Sequence, residues 1–203
     1  MKQPEIVIRA AKPSLDEGLE CGHYLNEASE GFFRFMLGRQ FAQIIAKAYP
    51  HPGHSYSFQN VTFAEYDNRI VGMTLGYTSE LYRNFSDQPL KQAAGFQNLR
   101  LTVVKKLCAP MIRIIENISD NDFYILAMAI DKDFQGKGIG SALMDSIKEQ
   151  ARTNGMTRLC LDVSANNISA CKIYEHWGMK VESQWPKRLP IQYLKFYRMA
   201  KEL

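Results

Sequence analysis

The segment that most constrains this chain is a turn between two regular elements. Phe123 to Ile130 is a near-continuous apolar run, and a loop with Gly136, Gly138 and Gly140 at alternate positions follows it. A strand that is apolar along both faces belongs at the centre of a sheet covered on both sides. Beyond the loop, Ile139, Leu143, Ile147 and Ala151 recur at four-residue spacing, one face of an amphipathic helix from about Gly138 to Asn154. Asn154-Gly155 ends that helix. Strand, glycine turn and helix together require layers of helix on sheet, an α/β sandwich.

The flanking segments fit the same plan. Ile6 to Ala10 reads as a first strand, closed by Pro13, and Ser14 with Glu17 three residues on is a capping box. Phe32, Phe35, Met36, Phe41, Ile44, Ile45 and Ala48 predict one helix over 31–48, stopped at Pro50. Val61–Tyr66 and Ile70–Tyr77 are strand-like around Asp67-Asn68, a hairpin turn. Residues 78–121 are apolar with a single glycine, too ordered for a linker. They predict a helical insertion: one helix through Leu90, Ala94, Leu99, Leu101, Val103, Val104 and Leu107, a break at Pro110, then a second piece through Ile112, Ile115 and Ile118. Arg158–Val163 is the next strand, Ser169–His176 a short helix stopped by Gly178, and about Ile191–Met199 a closing strand. The whole chain, 1–203, reads as one domain.

Composition excludes several classes. With 46% hydrophobic and 23% charged residues the chain is neither disordered nor fibrous. No apolar run approaches the length of a membrane span, and the N-terminus lacks the pattern of an export signal, so a cytoplasmic protein is expected. Lysine and arginine number 25 against 21 acids, and Lys105-Lys106 is no nucleic-acid tail. Cys21, Cys108, Cys160 and Cys171 are scattered and form no C-x-x-C pair, so neither a zinc site nor a redox dithiol is indicated. His51 and His54, separated by Pro52-Gly53, read as loop residues rather than metal ligands.

The glycine loop carries the chemistry. Alternating glycines let backbone N–H groups converge, and the helix start adds orphan amides and the positive end of its dipole. That is an anion receptor suited to phosphate. The Walker pattern G-x-x-x-x-G-K-[ST] is absent. The dinucleotide pattern has the right element order, with Asp162 on the following strand. Against it, Asp131 to Gln135 intervene between strand and turn, and Leu143 stands where a third glycine belongs.

Gln135, Gly138 and Gly140 form Q-x-x-G-x-G, which resembles the pyrophosphate-binding motif of the GNAT superfamily of acyl-CoA-dependent N-acetyltransferases. Asn167, Ala170, Tyr174, Gly178 and Met179 similarly resemble the family's N-x-x-A-x-x-x-Y-x-x-x-G-[FM] element. The resemblance is strong over 123–180 and extends weakly to most of the chain. It implies a GNAT-type three-layer sandwich, its mixed, mostly antiparallel sheet split at a splayed central parallel pair. The 78–121 helices would then precede the central strand.

The resemblance also implies acetyl-CoA as co-substrate and no metal. The main chain of Met128, Ala129 and Ile130 would hold pantetheine as an added strand. The amides of Gln135, Gly136, Lys137, Gly138, Ile139, Gly140 and Ser141 would hold the pyrophosphate, and Asn167 would reach the cofactor arm. Tyr174 takes the position of the general acid that protonates the leaving thiolate. The general base stays open among Glu65, Glu80, Asp122 and Asp162. The implied activity is acetyl transfer to a primary amine by direct attack, with a small-molecule acceptor favoured. A protein N-terminus or lysine, and a non-catalytic acyl-CoA sensor, are the alternatives. Neither nucleic acid nor membrane is expected as a partner. The insertion is expected either to wall the acceptor site or to serve as a packing or homodimer element.

Overall fold

The structure, a computed structural model, describes residues 6–112, 117–186 and 195–203. The elements run β1 (Ile6–Ala10), α1 (Leu15–Ala28), α2 (Phe32–Leu37), α3 (Phe41–Ala48), β2 (Val61–Tyr66) and β3 (Arg69–Thr78). Then come α4 (Ser79–Arg83), α5 (Gln88–Ala94), α6 (Asn98–Ile112), β4 (Asp122–Ile130), α7 (Ile139–Thr153), β5 (Arg158–Ser164), α8 (Ile168–His176), β6 (Lys180–Trp185) and β7 (Phe196–Glu202). Seven strands among the described residues form one sheet in the order β1-β2-β3-β4-β5-β7-β6. All neighbours are antiparallel except β4 and β5, which are parallel.

Alternation along the central strands assigns the two cores. Tyr124, Phe63, Leu75 and Cys160 face a cluster with Leu25, Ile45 and Tyr49 of the α1–α3 side. Phe123, Ile125, Leu159 and Leu161 face Met144, Ile147 and Ala151 of α7. The sheet is therefore buried between two helical layers, as the apolar β4 requires. Helix α1 lies very close to α3, because a Cβ on Gly18 or Gly22 would come within 2.7 Å of the Ala46 Cα and 2.9 Å of the Ala42 Cα. The β2–β3 hairpin turns through Asp67 and Asn68, both at positive φ, the primed geometry expected of a two-residue loop.

Four expectations change. The helix over 31–48 is two helices, broken at Gly38, whose φ is 79°. The apolar spacing runs through the break because Met36 and Phe41 each remain in phase with their own helix. The capping box is half formed: Ser14 Oγ accepts from the Glu17 N–H at 3.2 Å, while the Glu17 carboxylate turns to the Lys12 N–H and to Arg9. In the insertion three helices stand where two pieces were expected, and α6 runs through Pro110 to Ile112. Ile115 lies outside the described residues, and Ile118 follows in a non-helical stretch. Strand β6 has no counterpart in the sequence pattern, since its residues are almost all exposed and show no apolar alternation. The closing strand begins at Phe196; 191–194, like residues 1–5, lie outside the described residues. Among the described residues no helix is long and apolar enough to cross a membrane.

Candidate active site

The site begins where β4 and β5 part. They pair only over Asp122–Ile125 and Arg158–Leu161. Beyond that, Leu126 to Ile130 keeps β3 on one edge, and no described strand covers the other. A bulge between Leu75 and Gly76 of β3 places Leu126 as the extra residue at the point of parting. Peptide groups left without a ladder need partners. They border a cavity of about 1540 Å³, lined by Met128, Ala129 and Ile130 on this side.

The glycine loop closes one end. Gly136 and Gly138 have φ of 75° and 83°, and a Cβ on either would meet nothing within 4 Å. The space over that backbone is open, as close approach of a ligand requires. Gly140 serves packing instead. A Cβ there would lie 3.2 Å from Ile130 Cδ1 and 3.3 Å from Trp177 Cζ2, so its absence seats α7 against its neighbours. No side chain caps α7, whose cap residue is Gly138, so its first-turn amides are left for a ligand or solvent. Gln135, Gly136, Gly138, Gly140 and Ser141 line the cavity. Two side chains of the motif point elsewhere. Ile139 is buried in the core, and Lys137 Nζ sits 4.6 Å from the centre of the Phe134 ring. Gln135 Nε2 donates to the Ile130 carbonyl at 3.2 Å and so braces the loop against β4.

Across the cleft lies α8. Asn167 caps it, accepting from the Ala170 N–H at 3.0 Å, and its Nδ2 donates to Glu30 Oε1 at 2.9 Å. Both ends of the amide are thus engaged, one inside the helix and one across to the α1–α2 connection. Tyr174, about two turns of α8 further on, is half-buried beside Trp177 and lines the same cavity. Burial, with a smaller contribution from Cys171, pushes its phenol up to about 12.

The four candidate carboxylates separate cleanly. Glu65 bonds Arg9 at 2.6 Å, an interaction that lowers its pKa, and it lines a second, smaller pocket with Glu17 and Asp131. Glu80 is exposed in the first turn of α4. Asp122 is buried at the start of β4 beside Arg158, whose Nε at 3.3 Å makes a charge contact rather than an aligned hydrogen bond. Asp162 alone of the four lines the large cavity. Arg198 holds it by two bonds, Nε to Oδ1 at 2.9 Å and Nη2 to Oδ2 at 2.7 Å, and the Tyr124 hydroxyl donates to Oδ2 at 2.9 Å. No motif announces Tyr124 or Arg198 in the sequence. The alternation of β4 and β7 beside β5 is their only signal.

Among the described residues the sheet splits at its one parallel pair, and the glycine turn at the open end of β4 and the phenol on the facing helix line one cavity. The chain belongs to the acetyltransferase (GNAT) family, whose model matches residues 25–179. It is 31% identical over 87 residues to the [ribosomal protein bS18]-alanine N-acetyltransferase of Salmonella typhimurium, covering 43% of this chain and 57% of that protein. It is 36% identical over 64 residues to the N-acetylaspartate synthetase of Xenopus tropicalis, covering 32% of this chain and 24% of that protein. The chain therefore spans little more than half the length of the first of these curated relatives. In structure it is similar over 96% of its length to all of an N-acetyltransferase from Staphylococcus aureus, at 18% identity and a TM-score of 0.68. A second solved acetyltransferase matches over 97% of this chain and 98% of its own, at 22% identity and a TM-score of 0.67.

Proposed function

We propose that this protein transfers the acetyl group of acetyl-CoA to the primary amine of a small molecule, with residues 1–203 acting as one domain. The observation that carries the reading is the parting of β4 from β5 directly onto the glycine cradle, with Tyr174 on the facing helix. The open edge of β4 from Met128 to Ile130 suits a pantetheine arm lying as an extra strand. The amides of residues 135–141, with open space above Gly136 and Gly138, suit a pyrophosphate. Bound there, acetyl-CoA supplies an acetyl thioester. The chain's own groups do the rest.

The acceptor nitrogen attacks the thioester carbon, the C–S bond breaks, and the sulfur keeps its electron pair. Tyr174 gives that sulfur its proton, and solvent restores the phenol. The acceptor arrives as an ammonium, gives one proton to solvent before it attacks, and gives a second to solvent as the attacking nitrogen becomes an amide. Tyr124 donates its own proton to Asp162, so the lone pair of its oxygen is what it offers the cavity, an acceptor for an ammonium N–H. Asp162, fixed by Arg198, directs that lone pair.

The test is coenzyme A release over a panel of amines, with the acetylated product weighed by mass spectrometry. Tight coenzyme A binding with no product from any amine would overturn the enzyme reading in favour of a sensor. Product from peptide amino groups alone would overturn the small-molecule acceptor.

A further inference from the structure

The cavity of about 1540 Å³ reaches from the open edge of β4 to an end lined by aromatic rings. Tyr77, buried at the end of β3, stacks on Tyr82 with ring centroids 5.7 Å apart and an 8° tilt. Phe85 meets Tyr77 edge-on at 5.1 Å. Tyr82 and Phe85 are only half-buried and line the cavity, as does Tyr56. The short α4 and the turn after it, the first part of the insertion, thus stand an aromatic wall on β3.

Charge narrows the choice. The cavity is lined by four carboxylates (Glu27, Glu30, Asp87, Asp162) against two cations, Arg83 and Lys105. Arg83 meets Asp120 at 2.5 Å, Lys105 meets Asp87 at 2.7 Å and Arg198 holds Asp162, so the acids of the lining with no ion pair among the described residues are Glu27 and Glu30. A lining with excess negative charge draws an ammonium and disfavours a carboxylate on the same ligand. Half-buried rings that line a cavity reward a flat apolar body, by stacking or edge contact, over a chain carrying a second charge. We infer that the acceptor is a primary monoamine bearing an aromatic ring and no carboxylate, and that Tyr82 and Phe85 select it. The inference rests on the acetyltransferase reading and names its substrate class.

Thiol release at saturating acetyl-CoA would be compared for 2-phenylethylamine, butylamine, spermidine, phenylalanine and a short peptide. The expected kcat/KM for phenylethylamine is at least tenfold above each of the others. Phe85→Leu and Tyr82→Leu should narrow its advantage over butylamine to within threefold, through KM rather than kcat, while Tyr82→Phe keeps it. Calorimetric binding of phenylethylamine in the presence of coenzyme A should weaken at least tenfold in Tyr82→Leu, a readout that needs no turnover. Circular dichroism melting shows whether each variant is folded. If spermidine, phenylalanine or the peptide is the best acceptor, or folded leucine variants leave the ratio unchanged, the aromatic class is wrong. If no amine releases thiol although coenzyme A binds, the acetyltransferase reading itself falls, and the proposal with it.

Discussion

Tyr174 keeps its proton through the ordinary pH range because burial pushes the phenol to about 12. A general acid contributes about 10²- to 10⁴-fold, so Tyr174→Phe should lower kcat by that order with acetyl-CoA affinity within threefold. The sign of the pH dependence follows. The group is active in its protonated form, so it produces no alkaline loss of rate until the pH nears 12. The acidic limb belongs to the acceptor, which must be deprotonated, and Tyr174→Phe should lower the plateau without moving that limb. Unchanged kcat in the variant would remove the acid role. His54 shows a different kind of titration. Its Nε2 lies 3.0 Å from the Ala48 carbonyl, which can only accept, and its Nδ1 takes the Tyr56 N–H at 3.3 Å, which can only donate. The ring is therefore the neutral Nε2–H tautomer, and burial lowers its pKa below the ordinary 6.5. An unfolded chain takes up that proton below about 6.5 while the folded one resists. The stability His54 contributes is complete above that pH and lost as the pH falls. Melting temperature should drop more steeply between pH 7 and 5.5 in the native protein than in His54→Gln. Parallel slopes would show that His54 titrates freely.

At the scale of elements, α1 and α3 are seated by two glycines one turn apart. Alanine at Gly22 would gain helix propensity of about 1 kcal/mol, but its Cβ would stand 2.9 Å from backbone at Ala42, where nothing can swing aside. Overpacking of that kind costs about 1–3 kcal/mol, so Gly22→Ala should lower the urea midpoint, and Gly18→Ala likewise. A raised midpoint would show that the helices can part at no cost. The loop glycines, with open space over their backbone, belong to the proposed cofactor site instead. Gly138 holds φ at 83°, a region that costs an L-residue about 1–2 kcal/mol, so Gly138→Val should weaken coenzyme A binding measured by calorimetry at least tenfold. These two uses of glycine also explain what could be read in advance. From β4 through α8 the sequence is legible, because Gly136, Gly138, Gly155 and Gly178 punctuate it where positive φ is needed. Gly38 also has a positive φ but sits inside an apolar pattern that stays in phase across it, which hides the break between α2 and α3. Strand β6 carries no buried alternation at all and leaves no trace for periodicity to find.

Across the whole molecule, the proposed cofactor site is written in contiguous motifs and the proposed acceptor site is not. Tyr56, the stretch holding Tyr77, Tyr82 and Phe85, and Tyr124 come from three separate segments, and each alone reads as an ordinary core or surface aromatic. The pairing of β3 with β4 sets Tyr124 beside that stretch. The sheet order gives Arg198 its weight. From β7 it reaches Asp162 on β5 by two bonds, and its third arm donates to the Asn117 carbonyl just before β4. Arg198 therefore ties β5, at the residue where it leaves β4, to the segment that leads into β4, and through Asp162 it orients the Tyr124 hydroxyl. Both members of the pair are buried, with side chains 8% and 5% exposed. Removing one partner of such a pair leaves a buried charge uncompensated and costs about 3–5 kcal/mol, whereas removing both and filling the space is often near neutral. Arg198→Met and Asp162→Leu should each lower stability by about that amount in urea unfolding. The double variant should lose clearly less than the sum. Because the clamp also fixes Tyr124, the double variant, although folded, should still show a raised KM for the acceptor amine with acetyl-CoA affinity preserved. If the two losses add to within about 0.5 kcal/mol, the residues act independently. The divergence of β4 and β5 would then be held by the surrounding core rather than by this clamp.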